Sequence, residues 1–132
     1  MTYALGVSVN RPFDPTLAEV REALAAQGFG VLTEIDLAAT LMTKLGVVLA
    51  PQVVLGACNP PLAHRGLGVE ASLGLLLPCN VVVRSLSADE TRVEVLDPQT
   101  MVAVTGNPAL ADVAEDAGTR LRLVLAALDR PA

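Results

Sequence analysis

Apolar and polar positions alternate from Tyr3 to Asn10, with Tyr3, Leu5, Val7 and Val9 set against Ala4, Gly6, Ser8 and Asn10. That two-residue period predicts a strand with one face in a core. Asp14 before Pro15 predicts a helix N-terminus, and Leu17, Val20 and Leu24 follow at helical spacing until Gly28. Phe29, Val31, Thr33 and Ile35 form a second alternating strand, and Asp36 is placed to cap a short helix through Leu37, Leu41 and Leu45 that Gly46 ends. The Val-rich run from Gln52 to Ala57, bounded by Pro51 and Asn59-Pro60-Pro61, predicts a third strand. Pro60 and Pro61 then open a helical turn carrying Leu62, His64 and Arg65, weakened by Gly66 and Gly68.

Leu75 to Arg84 and Thr91 to Leu96 predict an antiparallel hairpin turning at Ser87-Ala88-Asp89-Glu90. Met101 to Val104 fits a strand or a helical turn equally. Asn107-Pro108 starts the clearest helix, with Leu110, Val113, Ala117, Leu121, Val124 and Leu128 on one face. Its acids fall early and its Arg120 and Arg122 late, which suits the helix dipole. Helices near both ends with strands paired between them predict a single α+β domain over residues 1–132, an antiparallel sheet flanked by helices. A parallel βαβ sheet fits less well.

The chain has 132 residues, 52% of them apolar and 17% charged, enough to bury one core and too apolar for intrinsic disorder. Aromatic rings are nearly absent, so Val, Leu and Ala must fill that core. A formal charge of −5 with no basic cluster, and only Tyr3, Phe13 and Phe29 as rings, argue against nucleic acid as a partner. The run from Leu67 to Val83 is broken by Glu70, Pro78 and Asn80, so no membrane span is expected. Met-Thr-Tyr-Ala-Leu-Gly-Val is no secretory leader, and a cytoplasmic location with Cys58 and Cys79 as free thiols is the expectation.

Asn follows Cys twice, at Cys58-Asn59 and Cys79-Asn80. If the third and fourth strands are antiparallel neighbours, the two pairs come together. Strand parity sets Cys79 with Leu77, Val81 and Val83, and Asn80 with Val82 and Arg84. A shared sulfur site for a soft metal, a redox pair or a nucleophilic thiol is one reading, with His64 as its base or ligand. Core filling by cysteine is the plainer one. Two Cys and one His give three ligands at most, so a metal would need Asp97, water or a second chain. Asp97-Pro98 otherwise caps the turn onto Gln99 and Thr100, and His64 is otherwise a surface residue. Nucleotide-binding loops and the serine-esterase elbow are absent.

Gly28-Phe29-Gly30-Val31-Leu32-Thr33-Glu34-Ile35-Asp36, Leu55-Gly56-Ala57-Cys58-Asn59-Pro60-Pro61-Leu62-Ala63, and Gly74-Leu75-Leu76-Leu77-Pro78-Cys79-Asn80-Val81-Val82-Val83, together with Asp97-Pro98, resemble the uncharacterised "domain of unknown function 302" family. The resemblance implies a helix-flanked antiparallel sheet similar to the TATA-box-binding-protein-like architecture, ordered strand, helix, four strands, helix, and it brings no activity or cofactor. Three readings of function stay open. The first is a small-ligand or sensory binding module lined by Cys58, Asn59, Cys79 and Asn80, with His64 and Asp97 as further candidates. The second is a homodimeric structural or interaction domain, and the third a thiol- or metal-dependent enzyme. Metal and cofactor are unknown, and an enzyme is the less favoured of the three.

Overall fold

The computed structural model describes residues 2–131. Its strands are β1 (Ala4–Val9), β2 (Gly30–Asp36), β3 (Gln52–Cys58), β4 (Cys79–Ser87) and β5 (Glu90–Leu96). They form one sheet in the order β1-β5-β4-β3-β2, and every neighbouring pair is antiparallel. The helices are α1 (Phe13–Ala26), α2 (Leu37–Leu45), α3 (Pro60–Val69), α4 (Gln99–Thr105) and α5 (Ala111–Leu128), with 3₁₀ turns at Ala71–Leu76 and Pro108–Leu110. The α+β class is as expected, and three helices beyond the strand, helix, four strands, helix order punctuate it.

Register explains the core. Val7, Val93, Val83 and Val53 lie side by side across four strands, and Leu5, Val95, Val81 and Leu55 make a second row. Val20 and Leu24 of α1 and Leu121, Val124 and Leu128 of α5 pack onto this face. Fully burying each such side chain contributes about 1.5–3 kcal/mol, the main force holding helices to sheet. The opposite face carries Ser8, Arg92, Glu94, Asn80 and Arg84, tied by Arg84–Glu94 (3.3 Å) and Arg92–Glu94 (3.7 Å) ion pairs and an Arg92 Nη1 donation to Ser8 Oγ (3.2 Å).

Several elements differ from their sequence expectation. Asp14 does not cap α1: the helix begins at Phe13 and Thr16 donates to the Pro12 carbonyl through both its N–H (3.2 Å) and its hydroxyl (2.8 Å), leaving Asp14 in the first turn. The alternation of β2 breaks at a bulge between Val31 and Thr33, so Val31 packs on the core while Ile35 is half exposed. Leu75 to Leu77 do not join β4. Leu73 of the 3₁₀ turn is instead buried with Met101, Leu110 and Ala114, so this leucine run serves a second, smaller core at the sheet's end. Gly66 and Gly68 do not stop α3, because Asn59 caps it and Gly66 is needed for packing. A Cβ at Gly66 would lie 2.5 Å from Leu73 Cδ2. The ambiguous Met101 segment is helical.

Leu55→Ala is expected to lower unfolding free energy in urea by about 2–5 kcal/mol, the range for emptying a closed aliphatic site. Val82→Ala, one strand over on the opposite face, is expected to cost under about 1 kcal/mol.

Candidate functional site

The antiparallel pairing of β3 with β4 sets Ala57 opposite Cys79, one residue from Cys58. Both thiols are free and half-buried. They line a cavity of about 30 Å³ between the end of the sheet, α3 and the smaller core, closed by Phe29, Asn59, Leu62, Leu73, Leu77 and Met101 among others. Such a space holds one water-sized occupant, far below the roughly 300 Å³ at which organic-ligand pockets begin.

Asn59 is buried and fully engaged. Its Oδ1 accepts from the Leu62 N–H (3.3 Å), capping α3, and its Nδ2 donates to the Gln27 carbonyl (3.4 Å). Arg120 Nη1 donates to the same carbonyl (3.2 Å) while its Nε is held by Asp116 (2.9 Å), so this corner ties α1, α3 and α5 together. Asn59 is therefore a structural cap more than a free recognition group.

The remaining expected site residues are not in the cavity. Asn80 lies on the far face of the sheet, because consecutive strand residues point to opposite sides, and there it lines an open groove with Tyr3, Gln52, Val82, Arg84 and Glu94. The groove is larger, about 360 Å³, but its Arg84 and Glu94 already neutralise each other. Cys58, Asn59, Cys79 and Asn80 thus do not form one patch. His64 sits on the exposed side of α3 and does not line the cavity, as the plainer reading of a lone histidine expected. Asp97 closes β5 onto α4: its Oδ1 accepts from the Gln99 N–H (3.0 Å), its carbonyl from the Thr100 N–H (2.9 Å), and its own N–H donates to the Tyr3 carbonyl (2.8 Å).

Sequence reasoning did not single out Met101. It is buried in α4 and lines the cavity beside both cysteines, but a seven-residue helix offers too few turns for a periodic signal. Among the described residues, no group of three or more His, Cys, Asp or Glu stands where it could hold a metal ion. None of the described helices is long and apolar enough to cross a membrane.

Burial pushes the Cys79 thiol above its ordinary value, and the neighbouring Cys58 pushes the same way. No imidazole lines the cavity beside it.

These features define a small α+β domain: five antiparallel strands, two long helices on one face, and a small, mainly aliphatic cavity at the sheet's end. The chain belongs to the family described as Domain of unknown function DUF302, whose model matches residues 5–128. It is similar to the crystal structure of an uncharacterised conserved DUF302 protein from Bacillus stearothermophilus, with 30% identity and a TM-score of 0.89 over 97% of this chain and 99% of that one. No curated protein matches the chain.

The raised Cys79 value has a sign. A folded-state pKa above the unfolded one contributes stability that is whole below the unfolded value, about 8.5 for a free thiol, and is lost as pH rises through the folded value. Unfolding free energy should therefore fall above about pH 9, and Cys79→Ala should flatten that fall in urea titrations at stepped pH. Alkylation of Cys79 by iodoacetamide at pH 8 should be slower than that of a free cysteine.

Proposed function

We infer that the chain is a self-associating interaction domain, and that a second copy covers α2 and the segment leading from it into β3. The observation that carries this is an arm with no buried residue. Nothing in α2 is buried, and Met42, Leu45, Val47, Val48 and Leu49 are all exposed, Leu45 at 70% and Val48 at 81%. Leu32 and Ile35 of β2, the strand from which α2 leads off, are exposed as well. Half of the exposed large apolar side chains among the described residues fall in this one stretch, Leu32 to Leu49, a concentration that favours an interaction surface over a scatter.

Charge favours a second copy as the occupant. The whole chain carries −5, so two copies repel through most of their surfaces. Between Leu32 and Pro51 only Glu34, Asp36 and Lys44 are charged, and Glu34 is paired with Arg21. This is the surface on which copies can meet without facing their own acidic charge. β2 lies at the edge of the sheet, and its outer rim has no strand partner among the described residues. A two-fold contact along the arm and this edge satisfies both features with one self-complementary surface. A stable contact of this kind buries about 800 Å² per partner.

The small-ligand reading has weaker support. Its four residues are divided between two faces of the sheet, and the cavity the thiols share is water-sized.

Sedimentation equilibrium at micromolar concentration is expected to give a dimer. Leu45→Glu with Val48→Asp should shift it to monomer, with Kd weakened at least about 100-fold. A wild-type chain that stays monomeric at high concentration would overturn the reading.

A further inference from the structure

The sheet face turned away from α1 and α5 carries two guanidinium groups on directly opposed residues, Arg84 of β4 and Arg92 of β5. Like charges facing each other across strands are destabilising, and here one carboxylate serves both. Glu94 lies 3.3 Å from Arg84 Nε and 3.7 Å from Arg92 Nε, which leaves one positive charge in excess within the trio. Glu90, the next acid along that face of β5, pairs with neither arginine among the described residues.

The two arginines differ in what they have left to give. Arg92 turns toward β1, where its Nη1 donates to Ser8 Oγ (3.2 Å) and its Nη2 lies 2.6 Å from where a Cβ on Gly6 would stand. Arg84 is held only through Nε; its terminal nitrogens have no partner among the described residues, and its side chain is 39% exposed.

Register sets a groove beside those free donors. Gln52 pairs with Arg84, Val82 with Glu94 and Ala4 with Leu96, so these side chains share one face, as does Asn80 two residues from Val82. The groove they line encloses about 360 Å³, within the range of about 300–1,000 Å³ for small-molecule sites. From Arg84 to Asn80 it follows four residues of β4, about 13 Å. We propose that it binds a small organic monocarboxylate, with the carboxylate on Arg84 and Gln52 and the apolar body along Val82 toward Asn80.

Charge selects the ligand and its valence. A guanidinium fork donates in parallel to both oxygens of a carboxylate, and the neighbouring Gln52 amide adds a further donor. One negative charge matches the one positive charge in excess. A phosphate monoester, close to dianionic, would leave the groove negative in a chain that already carries −5. At the other end the Asn80 carboxamide has no side-chain partner among the described residues, and its donor and acceptor together suit a hydroxyl on the ligand. The groove does not draw on α2, so ligand binding and self-association stand or fall separately.

The test is titration of the isotope-labelled full chain with ω-hydroxyhexanoate at low salt, followed through backbone amide shifts. Saturable, millimolar binding is expected, with the largest shifts at Gln52, Asn80, Val82 and Arg84. The neutral ω-hydroxyhexanamide should bind at least about 10-fold more weakly, as when a charge-assisted hydrogen bond is lost. That comparison uses the wild-type chain and needs no variant. Arg84→Met should weaken the carboxylate by a similar factor, Arg84→Lys by less because the charge stays without the fork, and Arg65→Met on α3 should change nothing. The proposal is overturned if no saturable shift appears in the groove, if the amide binds as well as the acid, if Arg84→Met binds as wild type, or if ω-hydroxyhexyl phosphate binds more tightly than the carboxylate.

Discussion

The architecture depends on a single asymmetry: α1 and α5 both pack on the same face of the sheet. They contact each other as well as the strands, and between them supply Val20, Leu24, Leu121, Val124 and Leu128 to the central core. Among the described residues no helix pair covers the other face comparably, so it must carry groups that tolerate water. It does so with a ladder of Arg and Glu across β4 and β5. A one-sided antiparallel sheet reads as alternation, and the rows of Val and Leu in register show that alternation was the right period for β1 and β5.

How much was legible follows from the same asymmetry. β1, β5 and α5 have one wet and one dry side, and their patterns expose it in sequence. The five strands, the cap at Asp36, the stop at Gly46 and the antiparallel hairpin of β4 with β5 could all be read in advance. What could not be read depended on a second core invisible to any local period. Leu73, Met101, Leu110 and Ala114 come from four segments and gather only in three dimensions. That cluster turned the Leu75 run away from β4 and kept α3 helical through its glycines. The Cys-Asn repeat misled for a related reason: two identical dipeptides on adjacent strands suggested one patch, but parity sends Asn80 through the sheet while Asn59 turns into a helix cap.

Gly56 shows how close that end of the sheet is drawn. A Cβ there would collide with Thr33 Oγ1, at the bulge of β2, and lie 2.8 Å from Pro78 Cγ. Absence of a side chain lets β2 and the residue before β4 close over β3 within a few residues of both thiols.

The arm at the other end raises the opposite problem. A nine-residue helix is marginal in water unless packing supports it, because nucleation is costly and few hydrogen bonds repay it. α2 has good local signals: Asp36 accepts from the Ala39 N–H (2.9 Å), Gly46 closes the end in the left-handed conformation, and Lys44 lies in the last turn. These contribute about 1 kcal/mol each at best. Set against them are five large apolar side chains between Met42 and Leu49 left in water. Local capping alone contributes little to an apolar, unburied helix, and a covering copy would add to it, since whatever binds only the folded arm adds its binding free energy to the arm's stability. If copies do meet on the arm, order in α2 and association are one equilibrium, and dilution should loosen the helix as it separates the copies.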